Sequence, residues 1–372
     1  MIREHDTHPR NARRRNLPRR TAACAAAAVL FTIVSPATAG ELDITVTIKP
    51  IHALVAQVME GVGTPHLLVQ GAASPHTYAL KPSDARALHH ADVFFRVSET
   101  VEPFTARIAA SLPDTVRVVT LADAPGVELL PIRRGETFEA HDHGHEQGHD
   151  HGHDEDQKAD HHHASHDGHG HEAHADDHHA HGEHEDSHGK ETHEDAKSAN
   201  MDGHVWLDPQ NARKMLAEIA RVLAKAAPDH AETFQANEQR ALAALDKLEA
   251  DIAREIAPVK GKPYVVFHDA YQYFEHRFGL APVGSITFSP EVRPSAKRLT
   301  EIRRKLASLE ASCVFAEPQF QDRLVATVTE GTNARAGTLD PGGALLDPGP
   351  GAYELLLRNL ASEITSCLAP KS

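Results

Sequence analysis

This chain lacks a long hydrophobic run. The apolar stretch from Ala22 to Val34 is about 13 residues, short of the roughly 20 a spanning helix needs. It also lacks an excess of positive charge, which argues against nucleic acid as a partner. The formal charge of 372 residues is −15, and it is concentrated in one place. Glu139 to Asp195 holds 18 acidic residues against Lys158 and Lys190, so that segment accounts for the deficit and the rest is close to neutral. No His-Glu-x-x-His pattern of zinc proteases occurs, and no nucleophile or general base stands in a recognisable motif, so an enzyme is not expected. Aromatic residues are few, at 5%, with a single tryptophan, while aliphatic content is ordinary; a soluble α/β protein fits.

Cysteine is scarce, with three residues. Cys24 lies in the apolar stretch, which follows a basic region (Arg13, Arg14, Arg15, Arg19, Arg20) and leads to Ala37-Thr38-Ala39, a small-x-small cleavage pattern. Residues 1–39 therefore read as an export signal and the mature protein as periplasmic. Cys313 and Cys367 remain as an even pair in an oxidising compartment, and a disulfide is expected, two buried thiols being the alternative.

From about His141 to His193 the sequence is low in complexity. It has 19 histidines among Asp, Glu, Gly and Ala, including His141, His143, His145, His149, His151, His153, His161, His162 and His163. Such a segment cannot bury enough apolar surface to offset ordering entropy, so disorder and auxiliary metal binding are expected of the insert, taken as 139–199. The alternative is a dispensable solvated loop.

Elsewhere strands and helices alternate. Ile44–Ile48, His66–Val69, Val93–Val97 and Val116–Leu121 read as strands, and Ile51–Met59 as a helix. Pro82 opens a short helix with Ser83 as a plausible N-cap. Asn211–Ala226 is an amphipathic helix, and a longer one follows from Ala231 to Ile256, nearly 40 Å at about 1.5 Å per residue. The second half repeats the pattern. Strands are expected at Tyr264–Phe267, Pro282–Phe288, Cys313–Ala316 and Ala334–Leu339, with helices at Tyr271–Phe278, Ala296–Ala307, Gln321–Thr329 and Tyr353–Ile364. The fold class is α/β with two lobes of mostly parallel sheet flanked by helices, joined by one long helix. The boundaries are 40–227 for the first lobe, 228–260 for the linking helix and 261–372 for the second.

Ligands of α/β sheets gather on loops at the carboxyl ends of strands. Four residues stand there: His76, His204, His268 and Asp340, two from each half. Each alone has an ordinary explanation as a solvated loop residue, a packing residue, a helix-start pair or a turn former; four together point to a metal site in the cleft between the lobes. Three imidazoles and a carboxylate suit tetrahedral Zn²⁺, whereas manganese prefers more carboxylate oxygen. Imidazole ligands must be neutral at the ligating nitrogen, so affinity is expected to fall below about pH 6. Trp206 is expected to wall the site, with Asp208, Asp269 and Glu317 as residues that orient the rings.

These segments resemble the metal-binding proteins of ABC importers for zinc and manganese, of the zinc-binding ZnuA type. The resemblance rests on Gly71–Tyr78 with Lys81–Asp84, on His204-Val205-Trp206-Leu207-Asp208-Pro209 and on Phe267–Phe274. It continues through Phe315–Phe320 and Gly337–Pro341. It implies that His76, His204 and His268 hold zinc, and that Asp340 lies at the acidic position of the same cleft. Manganese-selective relatives typically have glutamate at the third position, so His268 points to zinc. Some zinc relatives carry a glutamate just before the first histidine; here Pro75 stands there, leaving Asp340 or water as fourth ligand. The implied partner is an inner-membrane ABC permease with its cytoplasmic ATPase, served by a monomer. The competing expectations are a protein of the same fold for manganese or another divalent ion, a zinc-sequestering protein or adhesin, and a zinc hydrolase.

Overall fold

β-Branched and aromatic strands separated by helices build two parallel sheets. The computed structural model describes residues 42–133, 200–287, 293–308, 311–320 and 323–370. The export segment, the histidine-rich insert, Phe288 and Gln321 lie outside the described residues. In the first half the order is β2-β1-β3-β4, formed by β1 (Ile44–Val46), β2 (His66–Leu67), β3 (Val93–Arg96) and β4 (Arg117–Thr120), every neighbouring pair parallel. In the second the order is β6-β5-β7-β8, from β5 (Pro263–His268), β6 (Ala281–Thr287), β7 (Cys313–Ala316) and β8 (Arg335–Thr338), again all parallel. Central strands such as Ile44-Thr45-Val46 and Cys313-Val314-Phe315-Ala316 are buried along their length, as strands covered on both faces must be.

The first half carries α1 (Lys49–Val58), α2 (Pro82–His90), α3 (Phe104–Ala109) and α4 (Pro209–Ala226). α5 (Ala231–Ile256) is followed by α6 (Gln272–Phe278), α7 (Ala296–Ser308), α8 (Arg323–Thr329) and α9 (Ala352–Leu368). Beyond shifts of a few residues at element ends, two details differ from the sequence expectations. Ser83 is not the N-cap of α2: Lys81 takes that position and Asp84, inside the first turn, accepts from its amide at 3.0 Å. Helix α3 was not expected, since six residues carry too little periodicity to register.

Helix α5 has the expected bounds. It buries Phe234, Asn237, Ala241, Leu245, Leu248, Ile252 and Ile256, an apolar stripe at three- and four-residue spacing interrupted by one amide. That amide has a task. Asn237 Nδ2 donates to the carbonyls of Val58 and Glu60, each at 2.8 Å, so the long helix satisfies acceptors that the end of α1 leaves unpaired. The same helix packs against α1 and α4 of the first half and α9 of the second.

The described residues fall in one compact unit, and its main apolar core runs through both halves. Polar ties join them as well. The buried Lys49 ammonium donates to the carbonyls of Gly343, Ala344 and Leu346 at 3.1, 2.7 and 2.9 Å, one acceptor for each of its protons. Cys313 and Cys367 form the expected disulfide, which fixes α9 to β7.

Candidate metal centre

His268 is the last residue of β5, held in register with Thr287 of the neighbouring strand. His76 stands in the loop after β2. That loop is anchored two residues later, where the Tyr78 hydroxyl donates to Asp84 at 2.7 Å and the ring packs edge-on against Phe104. His204 opens a short 3-10 turn, Val205–Leu207, directly before α4. Gly203 makes this turn possible: a Cβ there would lie 2.5 Å from Val101 Cγ2 and 2.8 Å from Ser98 Oγ.

The three rings converge. His204 Nε2 is 3.3 Å from His76 Nε2 and 3.4 Å from His268 Nε2, and one ligand atom from each residue lies within 4.8 Å of the others. A tetrahedral zinc with Zn–N bonds of about 2.0–2.1 Å requires nitrogens about 3.3–3.4 Å apart. The two measured edges meet that requirement.

Two buried carboxylates set the tautomers. Asp202 Oδ1 lies 2.7 Å from His204 Nδ1 and also accepts from the His204 amide at 3.0 Å. Glu317 Oε1 lies 2.5 Å from His268 Nδ1. A carboxylate only accepts, so each Nδ1 carries a proton, and the lone pair each ring can offer to the common point is that of Nε2. Burial, with repulsion from His204 and His268 added, pushes His76 down to about 2, so that ring stays neutral. For His268, burial pulls the value down, but the charge and hydrogen bond of Glu317 outweigh it and the net shift is upward.

Of the other expected residues, Trp206 packs 5.2 Å from the His204 ring and donates its indole N–H to the Pro341 carbonyl at 2.8 Å. Asp208 faces away: it caps α4 through the Gln210 amide and pairs with both Arg277 nitrogens at 2.7 Å. Asp269 is engaged by Arg133. Asp340 does not join the cluster of three histidines. Its carboxylate accepts from the amides of Gly342 at 3.2 Å and Leu345 at 3.3 Å, the pattern of a turn residue. Asp202 was missed by the sequence reading. Its signal is the spacing Asp-Gly-His, a short acid two residues before a ligand at a position where only glycine fits.

The rings stand between two hollows. One, of about 270 Å³, is bordered by Thr100, Val101, Ile132, Met201 and Gln272; the other, of about 30 Å³, lies toward Pro75, Trp206 and Glu317.

Comparison with known proteins decides the family. Residues 44–367 match the family described as ZnuA, the periplasmic component A of the zinc-uptake complex. The chain belongs to the ZnuA family. The high-affinity zinc uptake system protein ZnuA of Brucella suis is 46% identical over 345 residues, 92% of this chain and 97% of that protein. The same-named protein of Yersinia pestis is 34% identical over 90% of this chain and 94% of its own length. Among solved structures, a crystal structure of ZnuA superposes with a TM-score of 0.64 at 20% identity, covering 88% of this chain and 99% of that one. Zn(II)-bound AdcA from Streptococcus pneumoniae gives 0.62 at 20% identity over 90% of this chain and 59% of its own. At such identities the structures speak for the fold, two parallel-sheet lobes with a joining helix, while the ZnuA-family sequence matches carry the relationship. Among the described residues of this family member no helix is long and apolar enough to cross a membrane.

Proposed function

We propose that this protein captures Zn²⁺ in the periplasm, after export through its N-terminal segment, and delivers it to an inner-membrane ABC permease driven by a cytoplasmic ATPase. The observation that carries this reading is the convergence of three imidazoles, with His204 Nε2 separated from each of the other two by the edge length of a zinc tetrahedron. His76, His204 and His268 are the protein ligands. Water takes the fourth position in this reading, which is supported by Asp340 accepting hydrogen bonds within its own turn. Asp202 and Glu317 orient their rings and supply negative charge behind them, which strengthens the imidazoles as donors. The many ties between the halves limit closure to small motions, so binding selects a preformed geometry.

Metal analysis and calorimetric titration of the protein lacking residues 141–193 test this. One tight zinc per chain is expected, abolished by His76→Ala, His204→Ala or His268→Ala. Loss of the tight site with the insert, or retention of full affinity in any of the three variants, would overturn the ligand assignment. A preference for manganese in competition would overturn the zinc reading. For transport, deletion of the gene is expected to impair growth in zinc-depleted medium; normal growth and uptake would favour sequestration.

A further inference from the structure

A strap crosses from the first half to the second beside the metal centre. Residues 130–133 run next to 200–202: Pro131 and Met201 form an antiparallel bridge, Ile132 N donates to Asn200 O at 3.0 Å, and Asp202 N donates to Leu130 O at 2.8 Å. Helix α6 holds the strap from the other side. Tyr273 Oη donates to the Asp202 carbonyl at 2.6 Å and accepts from the Leu130 amide at 2.9 Å, while Gln272 Nε2 donates to the Pro131 carbonyl at 3.1 Å. Asp202, at one end of this arrangement, is the residue that holds His204.

At the other end stands Arg133. Its guanidinium forks onto both oxygens of Asp269, with Nε 3.1 Å from Oδ2, and its Nη1 lies 2.8 Å from Glu275 Oε2. Asp269 directly follows His268, and Glu275 also accepts from the Tyr264 hydroxyl at 2.8 Å on the same strand, β5. Both carboxylates are buried, so this is not a solvent-screened surface pair. A charge-assisted fork fixes orientation as well as distance.

We propose that Arg133 is a positioning residue for metal retention: its fork latches the first-half strap onto the segment that carries His268, and the latch sets how slowly bound zinc leaves. Zinc escapes when His268 parts from His204 and His76, and that separation must break the Arg133 contacts. Losing such a contact acts on the dissociation rate more than on association. The inference rests on the zinc-binding reading above.

The test is zinc dissociation into excess chelator, followed by stopped flow, in the full chain and in Arg133→Met, Arg133→Lys and Arg277→Met. Arg277 makes a comparable fork to Asp208 between the same halves, four residues from His204 rather than next to a cluster histidine. Arg133→Met is expected to release zinc about 10- to 100-fold faster, the range for partners that orient ligand-bearing groups. The tetrahedral absorption of the Co²⁺-loaded variant should remain, since all three ligands persist. Arg133→Lys keeps the charge without the fork and should recover thermal stability but not the slow release. Arg277→Met should lower Tm and leave the rate within threefold. A rate within threefold of wild type in Arg133→Met, or equal acceleration in Arg277→Met, would overturn the latch. If Arg133→Met fails to fold, Arg133→Met/Asp269→Asn/Glu275→Gln removes the buried charges together and is judged by the same criteria. Absence of tight zinc in the wild-type chain would defeat the proposed function instead, which separates the two failures.

Discussion

Replacing Glu317 with glutamine isolates what a buried carboxylate does for an imidazole ligand. Glu317 is 2% exposed and His268 3%, and their contact is 2.5 Å, so solvent does little to screen the pair. Glutamine keeps the shape and can still accept from Nδ1, but the negative charge is gone. Hydrogen bonds to charged groups contribute about 1.5–3 kcal/mol. Zinc affinity should therefore fall about 10- to 100-fold, or about 1.4–2.8 kcal/mol, measured by competition with a chelator of known affinity. The proton count gives a second readout. With Glu317 present the net shift of His268 is upward, so its Nε2 proton persists to higher pH and zinc must displace it. Without the carboxylate charge, burial dominates and the ring is already neutral. Calorimetry near pH 7 in buffers of different ionisation enthalpy should show more proton release for wild type than for Glu317→Gln. Equal proton counts together with an affinity change under threefold would refute the reasoning.

Glu102 is fully buried, and burial raises it from 4.5 to about 7 against the pull of its hydrogen bonds. The folded state then binds this proton more tightly than the unfolded state, so this group's contribution to stability is full below pH 4.5 and is lost as pH rises through about 7. At most about 3 kcal/mol is at stake, and Glu102→Gln should raise Tm at pH 8 but not at pH 4.5, as thermal melts at both pH values would show. The disulfide spans 54 positions, and its reduction, or a Cys313→Ala/Cys367→Ala double variant, should cost about 4 kcal/mol in chemical denaturation. Trp206 is the one tryptophan and lies against His204, so its fluorescence should change on zinc addition and lose that response in His204→Ala. Deleting residues 141–193 should lower total zinc per molecule in metal analysis while the dissociation constant of the cleft site stays unchanged.

The architecture was legible because parallel sheets announce themselves. Val93-Phe94-Phe95 and Val265-Val266-Phe267 are apolar on successive residues, as strands covered on both faces must be, and helical periodicity intervenes between them. The long helix was legible to the residue because the stripe from Phe234 to Ile256 persists and Pro228 bars an earlier start. Boundaries in the α2 region were less so. Lys81-Pro82-Ser83-Asp84 offers two short polar side chains to the same amides, and only the fold decides that Asp84 reaches back while Ser83 turns toward Asp84.

The three histidines of the cluster could be read from their loop and strand-end positions; of the carboxylates beside them Glu317 was expected and Asp202 was not. Asp208 and Asp269, like Asp202, lie within a few residues of His204 or His268, yet Asp208 points at helix amides and Arg277, and Asp269 at Arg133. Asp202 reaches its ring because Gly203 lets the chain turn tightly against Val101, a tertiary contact of which the Asp-Gly-His spacing is the one local trace. Charge explains why the sequence offers Asp340, beside water, as a fourth ligand. Negative charge near a divalent ion is favourable, and a linear reading seeks it on the metal itself. The fold also places carboxylates one step back, on Asp202 and Glu317, each within hydrogen-bond distance of a ring nitrogen. That arrangement offers a nitrogen-rich cluster, a donor set that suits zinc better than the oxygen-seeking manganese, with negative charge held behind two of its rings.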